Sequence, residues 1–171
     1  MATPLTPSPA AALYGDMDHE LGATRRVLER VPMEQADWKP HAKSMSLGQL
    51  AIHVASLPAF ATAVMAADEL DALATPYREP TLATREELLA QLDATAAGLR
   101  DAVNAADHAA FGRNWKLRAG EHVMVDRPKG EVLRRALSHI IHHRAQLIVY
   151  LRLLDVPVPG LYGPSADEPT M

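Results

Sequence analysis

The feature that most constrains the fold is a long run of helical periodicity from about Lys129 to Asp155. Leu133, Leu137, Ile140, Leu147, Leu151 and Leu154 recur along it, the stripe by which a helix faces a core. Two histidines interrupt this pattern. His139 and His143 are four residues apart, so on a helix they lie one turn apart on one face, with Cβ atoms roughly 5–6 Å from each other. Both flank Ile140, and both rings are expected to point inward. Two imidazoles at this spacing form half of a metal site whose other ligands must come from elsewhere. His53, in a second apolar run far upstream, is the candidate third. Buried imidazoles need partners, but a carbonyl or carboxylate satisfies that need without metal. Spacing alone leaves the two readings level.

Taken in order, the chain punctuates itself. Ser8-Pro9 reads as the N-cap and first position of a helix running to about Val31, with Leu13, Met17, Leu21, Leu28 and Val31 inward and Pro32 ending it. His19, flanked by acids, reads as a surface residue. A loop from Met33 to Met45 carries Trp38 and His41, which either roof a pocket or simply pack within the loop. Ser46-Leu-Gly-Gln49 is a capping-box pattern, so a second helix is expected to start there and to place His53 in its second turn. Pro58 is expected to kink it. Asp68 to Ala83, with Pro76 and Pro80, reads as a long connection of the kind that tends to be functional.

A second capping box, Thr84-Arg-Glu-Glu87, opens a third helix through about Ala106 with Leu88, Leu92, Leu99 and Val103 inward. From Phe111 to Val125 the period changes to two, predicting a short β-hairpin turned at Gly120. His122 at that turn has no neighbour that would make it a ligand. In the last helix, His142 points about a hundred degrees from His143, so it is assigned to the pocket rim or to support of the ligands. Arg144 and Gln146 fall off the main stripe, and Arg144 reads as a surface or interface ion pair.

With 171 residues, 48% of them hydrophobic, the chain suits one domain with a real core, residues 1–171. A net charge of −4 argues against nucleic acid, which demands a concentrated basic face. There are no cysteines, so thiol chemistry would require a small-molecule thiol. The N-terminus lacks the basic and apolar regions of a secretory signal, which makes a cytoplasmic location the simplest expectation. Leu50 to Ala67 carries no full charge and approaches the length of a membrane span, but it is largely alanine, with His53, Ser56, Pro58 and Thr62 inside it. It is expected to be a buried core helix rather than a membrane segment.

Two separated segments carry a family resemblance. His139-Ile-Ile-His-His143-Arg144-Ala-Gln146-Leu147, followed by Val149-Tyr150-Leu151-Arg152 and by Tyr162-Gly163-Pro164-Ser165, resembles the C-terminal signature of the DinB/YfiT-like superfamily. Trp38-Lys-Pro40 through Ser46-Leu47-Gly48-Gln-Leu50-Ala51-Ile-His53 resembles the segment leading into that family's first ligand histidine. Ala145 stands where the family usually has Gly, and Ser138 where Asn is expected.

The resemblance implies an all-α four-helix bundle, up-down-down-up, with the small hairpin inserted before the last helix, often as a homodimer. It also implies that His53, His139 and His143 are a metal-binding triad. Zinc is the leading expectation, followed by nickel, iron or manganese, since nitrogen-only ligation discriminates poorly among them. The expected activity is metal-dependent activation of a small nucleophile against a small-molecule substrate. The favoured form is transfer or isomerisation with a low-molecular-weight thiol as cosubstrate, and metal-hydroxide hydrolysis is the close variant. No catalytic base is identifiable. The alternative is a non-catalytic, stress-associated metal-binding or structural protein. The tail residues Tyr162, Asp167 and Glu168 are expected to dock, edging the site or pinning a partner subunit.

Overall fold

The computed structural model describes residues 15–169. Four helices dominate it: α1 (Met17–Leu28), α2 (Leu47–Ala66), α3 (Arg85–Ala105) and α4 (Lys129–Leu153). A small sheet is built from β1 (Glu69–Asp71), β2 (Asn114–Ala119) and β3 (His122–Pro128). The expected start of the first helix at Ser8-Pro9 lies outside the described residues. Its end comes at Leu28, before Pro32, with Glu29 as the C-cap.

Both capping boxes form as the sequence reads. The Ser46 hydroxyl accepts from the Gln49 backbone N–H while the Gln49 side chain accepts from the Ser46 N–H, and Thr84 and Glu87 make the same reciprocal pair. Satisfying orphan N–H groups in this way fixes each helix start. Gly48 follows the first cap because the chain doubles back on it: a Cβ there would sit 2.8 Å from Ala36 Cβ. Pro58 lies inside α2 without ending it. By length and composition α2 could cross a bilayer, yet half of its most apolar window is buried, because α3 and α4 pack against it.

The hairpin is present but is only part of the sheet. β2 and β3 pair antiparallel around Gly120, whose φ of +59° is the left-handed turn conformation that glycine adopts freely. β1 adds in parallel to β2, aligning Leu70 with Leu117. This strand lies at the start of the segment expected to be a long connection, Asp68 to Ala83. Its three residues include two acids, poor strand formers, and they are held by Arg118, whose guanidinium reaches Asp71 at 2.6 Å and Glu69 at 3.0 Å.

The interior divides into two apolar clusters. One gathers Leu21, Leu57, Leu99, Trp115, Leu133 and Ile140 around the sheet end of the bundle. The other gathers Val27, Leu50, Val54, Leu88, Leu147 and Leu151 at the opposite end. Every helix changes from one cluster to the other at a polar residue. Glu20 and Thr24 lie near the boundary on α1, His53 and Ser56 on α2, Gln91 and Thr95 on α3, and His139, His143 and Arg144 on α4. The bundle therefore has a polar waist between two oily ends. Polar groups can persist at such a depth only if they are hydrogen-bonded, and Thr95 does so by donating to the Ala55 carbonyl at 2.7 Å.

Candidate metal centre

The waist brings the three sequence-predicted histidines together. One ring nitrogen from each of His53, His139 and His143 lies within 4.8 Å of the others. Ring centroids are 5.4 Å apart for His53–His139, 4.8 Å for His53–His143 and 4.5 Å for His139–His143. The turn-to-turn spacing on α4 sets the last pair, and the Ser46 cap sets the phase of α2 that swings His53 toward them. His139 is exposed and the other two are half-buried, so the cluster sits at the wall of the bundle and not deep within it.

Partners on the far side of two rings fix which nitrogen is free. Glu79 Oε1 is 2.5 Å from His53 Nδ1, and Gln146 Oε1 is 2.7 Å from His143 Nδ1. An acceptor at Nδ1 keeps the proton there and leaves the lone pair on Nε2. His143 Nε2 in turn lies 2.7 Å from His139 Nε2, a contact that requires His139 to donate and His143 to accept. Removal from water pushes both His139 and His143 below the usual imidazole pKa. The neighbouring rings lower His139 further, while the Gln146 contact partly opposes the shift at His143. His139 and His143 are thus favoured in the neutral form, the form in which imidazole ligates.

The donor set fits a divalent ion. It offers three ring nitrogens, with two of the rings oriented by an acceptor behind them, as metal-binding histidines usually are. Among the described residues no fourth His, Cys, Asp or Glu joins the group. Beside it opens a cavity of about 540 Å³, reached by both His53 and His139. Leu57, Phe60 and Ala63 of α2 form one wall, Leu117 of β2 another, and the 70–78 segment closes over them.

The remaining sequence-predicted residues fall elsewhere. His142 is exposed, with its ring 4.9 Å from that of His143, so it stands beside the cluster and outside the group of three. Trp38 does not roof the cavity: it packs edge-on against Tyr150 at 5.5 Å, in the cluster at the other end of the bundle. Tyr162 does not line the cavity either. Its hydroxyl meets the Glu20 carboxylate at 2.7 Å and Arg144 at 2.7 Å. Arg144 itself is no surface ion pair. It is 1% exposed, with Nη2 2.6 Å from Glu20 Oε2 and Nη1 donating to the Glu20 carbonyl. Asp167 and Glu168 pin the tail to its own chain, on Arg152 and on Arg26 and Arg30 respectively.

Sequence reasoning missed Glu79 and Gln146. Gln146 was within reach, since it follows His143 by three positions on a helix. Glu79 lies 26 residues from His53 in a connection of no regular period, and only the folded chain brings them together.

A bundle of four helices with a small sheet insertion and three converging histidines defines a class, and the comparisons agree. Residues 17–147 match the DinB superfamily, and the chain belongs to that family. It is 23% identical to the protein YrdA of Bacillus subtilis (strain 168), over 91% of this chain and 93% of that one. Among solved structures, a DinB-family member from Exiguobacterium sibiricum 255-15 superposes with a TM-score of 0.65 at 27% identity, covering 85% of this chain and 91% of that one. A DinB-like protein from Bacillus cereus ATCC 10987 gives 0.67 at 17% identity, covering 88% and 95%.

Proposed function

We propose that this chain is a metal-dependent enzyme in which His53, His139 and His143 hold a divalent ion, with zinc the first candidate, and a small nucleophile is activated against a substrate in the adjoining cavity. One observation carries the reading: three imidazoles, with no fourth protein ligand in their group among the described residues, stand beside an apolar cavity large enough for a small organic molecule. A structural site is normally closed by four protein ligands, whereas a catalytic one keeps a position free. A bound divalent ion supplies Lewis acidity and lowers the pKa of a water or thiol that reaches it.

The chain's own groups do the rest. Glu79 and Gln146 hold the His53 and His143 rings in one tautomer and one orientation. The apolar walls exclude water from whatever lies against them, which strengthens electrostatic interactions at the cluster. Among the described residues that line the cavity there is no carboxylate to serve as a general base, which suits a nucleophile that loses its proton readily. That favours a low-molecular-weight thiol, for transfer or isomerisation, over water. The protein cannot supply the thiol itself, having no cysteine.

The second reading, a non-catalytic metal-binding or structural protein, draws on the 2.7 Å contact by which His139 and His143 satisfy each other directly. Screening small thiols with electrophilic acceptors, in wild type and His53→Ala, separates the two. Thiol consumption that depends on His53 supports the enzyme. Turnover without added thiol selects the hydrolytic variant. A metal-loaded wild type silent in both assays, with a His53→Ala variant that loses much of its melting temperature, supports the structural role.

A further inference from the structure

The cavity beside the histidines has walls of one character and a mouth of another. Leu57, Phe60, Ala63, Leu70 and Leu117 line its interior, and Phe60 is backed by the fully buried Trp115, whose ring stands edge-on to it at 5.6 Å. Thr75, Tyr77 and Arg78 line the side where residues are exposed. Among the described residues no aspartate or glutamate lines it. The nearest carboxylate along the chain, Glu79, is engaged at His53. Among the described lining residues Arg78 is the one with a full charge, and it makes no ion pair with a carboxylate of the described residues.

By contrast Arg25, Arg26, Arg30, Arg118, Arg144 and Arg152 all hold carboxylates of their own chain. A guanidinium free of carboxylates, at the edge of an apolar cavity without acids, attracts anions and repels cations. We propose that the cavity takes an organic anion, with an apolar alkyl or aromatic body against Phe60 and Leu117 and one carboxylate-like or sulfonate-like group at Arg78. This names the substrate class of the site described above, and rests on that reading only for the claim that the molecule reacts there. Because His53 and His139 lie on the same cavity as Arg78, such a molecule would be held by its charged end while its body reaches the imidazoles. Arg78 is then a specificity-determining residue.

Two fluorescent probes test this without turnover and without metal. 8-Anilinonaphthalene-1-sulfonate and N-phenyl-1-naphthylamine share one apolar skeleton and differ by the sulfonate. In the full-length protein both are expected to bind, and Ala59→Phe, which fills the cavity wall, is expected to weaken both. Arg78→Gln is expected to weaken the sulfonate by roughly tenfold, about 1.4 kcal/mol, and the uncharged probe by less than about twofold. Raising the salt concentration should narrow that difference, because the mouth is open to solvent. An Arg78→Gln variant that binds the sulfonate as well as wild type, or loses both probes alike, overturns the assignment. So does binding that ignores Ala59→Phe. Since neither probe needs the histidines loaded, failure here with metal bound leaves the enzyme reading standing, and success here with no metal bound leaves only the cavity assignment.

Discussion

Arg144 and His143 are neighbours in the chain and share the polar waist, yet they finish it in opposite ways. Around Arg144 the polar groups close on one another: the guanidinium meets the Glu20 carboxylate, the Glu20 carbonyl, the Thr24 hydroxyl and the Tyr162 phenol. Burial and the Glu20 contact hold that phenol protonated beyond its usual range, against the opposing pull of Arg144. Around His143 the nitrogens instead converge on one another, steadied from behind by Glu79 and Gln146. The closed side fastens α4 to α1 and to the tail. The open side brings together three ring nitrogens that could hold a metal ion. A polar layer between two apolar clusters is costly unless satisfied, so where one half is completed internally, the incomplete half is where an outside partner is expected.

The sharpest way to break this contrast is to unpair the closed side. Arg144→Ala leaves the Glu20 carboxylate buried and unmatched, and is expected to cost about 3–5 kcal/mol, or roughly 10 °C of melting temperature for a domain of this size. Replacing both partners by apolar residues, Arg144→Met with Glu20→Leu, should recover most of that loss in chemical denaturation. If Arg144→Ala melts within about 2 °C of wild type, the network is not the fastening described.

On the open side the effect should fall on affinity and spare stability. Glu79→Gln removes the charge behind His53 and is expected to weaken divalent metal binding by about 10–100-fold, read by calorimetric titration, with the melting temperature of the metal-free protein unchanged. A variant that loses stability but keeps its affinity would make Glu79 part of the closed side instead.

The smallest effect belongs to the tail clasp. Arg152, followed by the Val158 N–H, holds the Asp167 carboxyl below the usual aspartate range. A pKa lowered by folding contributes stability that is fully present above the unfolded aspartate value of about 3.9 and disappears as pH falls through the lower, folded value. Asp167→Asn should therefore lower the melting temperature slightly at neutral pH and flatten its decline below about pH 4. An unchanged acid profile would remove Asp167 from the clasp.

What the sequence disclosed follows from how local each signal is. The Ser46 and Thr84 caps, the Gly120 turn and the stripe through Leu133, Ile140, Leu147 and Leu151 are encoded within a few residues, and all are legible. The His139/His143 spacing is equally local, and the assignment of His53 came from the resemblance. β1 was hidden because its stability lies in Arg118, 47 residues after Asp71. Arg144 was misread because its burial depends on α1 supplying Glu20, and the stripe on α4 alone places it off the core. Trp38 and Tyr162 were drawn toward the site by residue type, whereas packing against Tyr150 and bonding to Glu20 hold them away from it.

The central claim is that three imidazoles form an open divalent-metal site. Elemental analysis of the protein purified without a histidine tag, followed by zinc titration of wild type and His139→Ala, tests it most directly. The account predicts about one divalent ion per chain in wild type and its loss in His139→Ala, with the metal-free variant remaining folded. A wild-type stoichiometry near zero that zinc titration does not raise, or binding that survives His139→Ala, would contradict it.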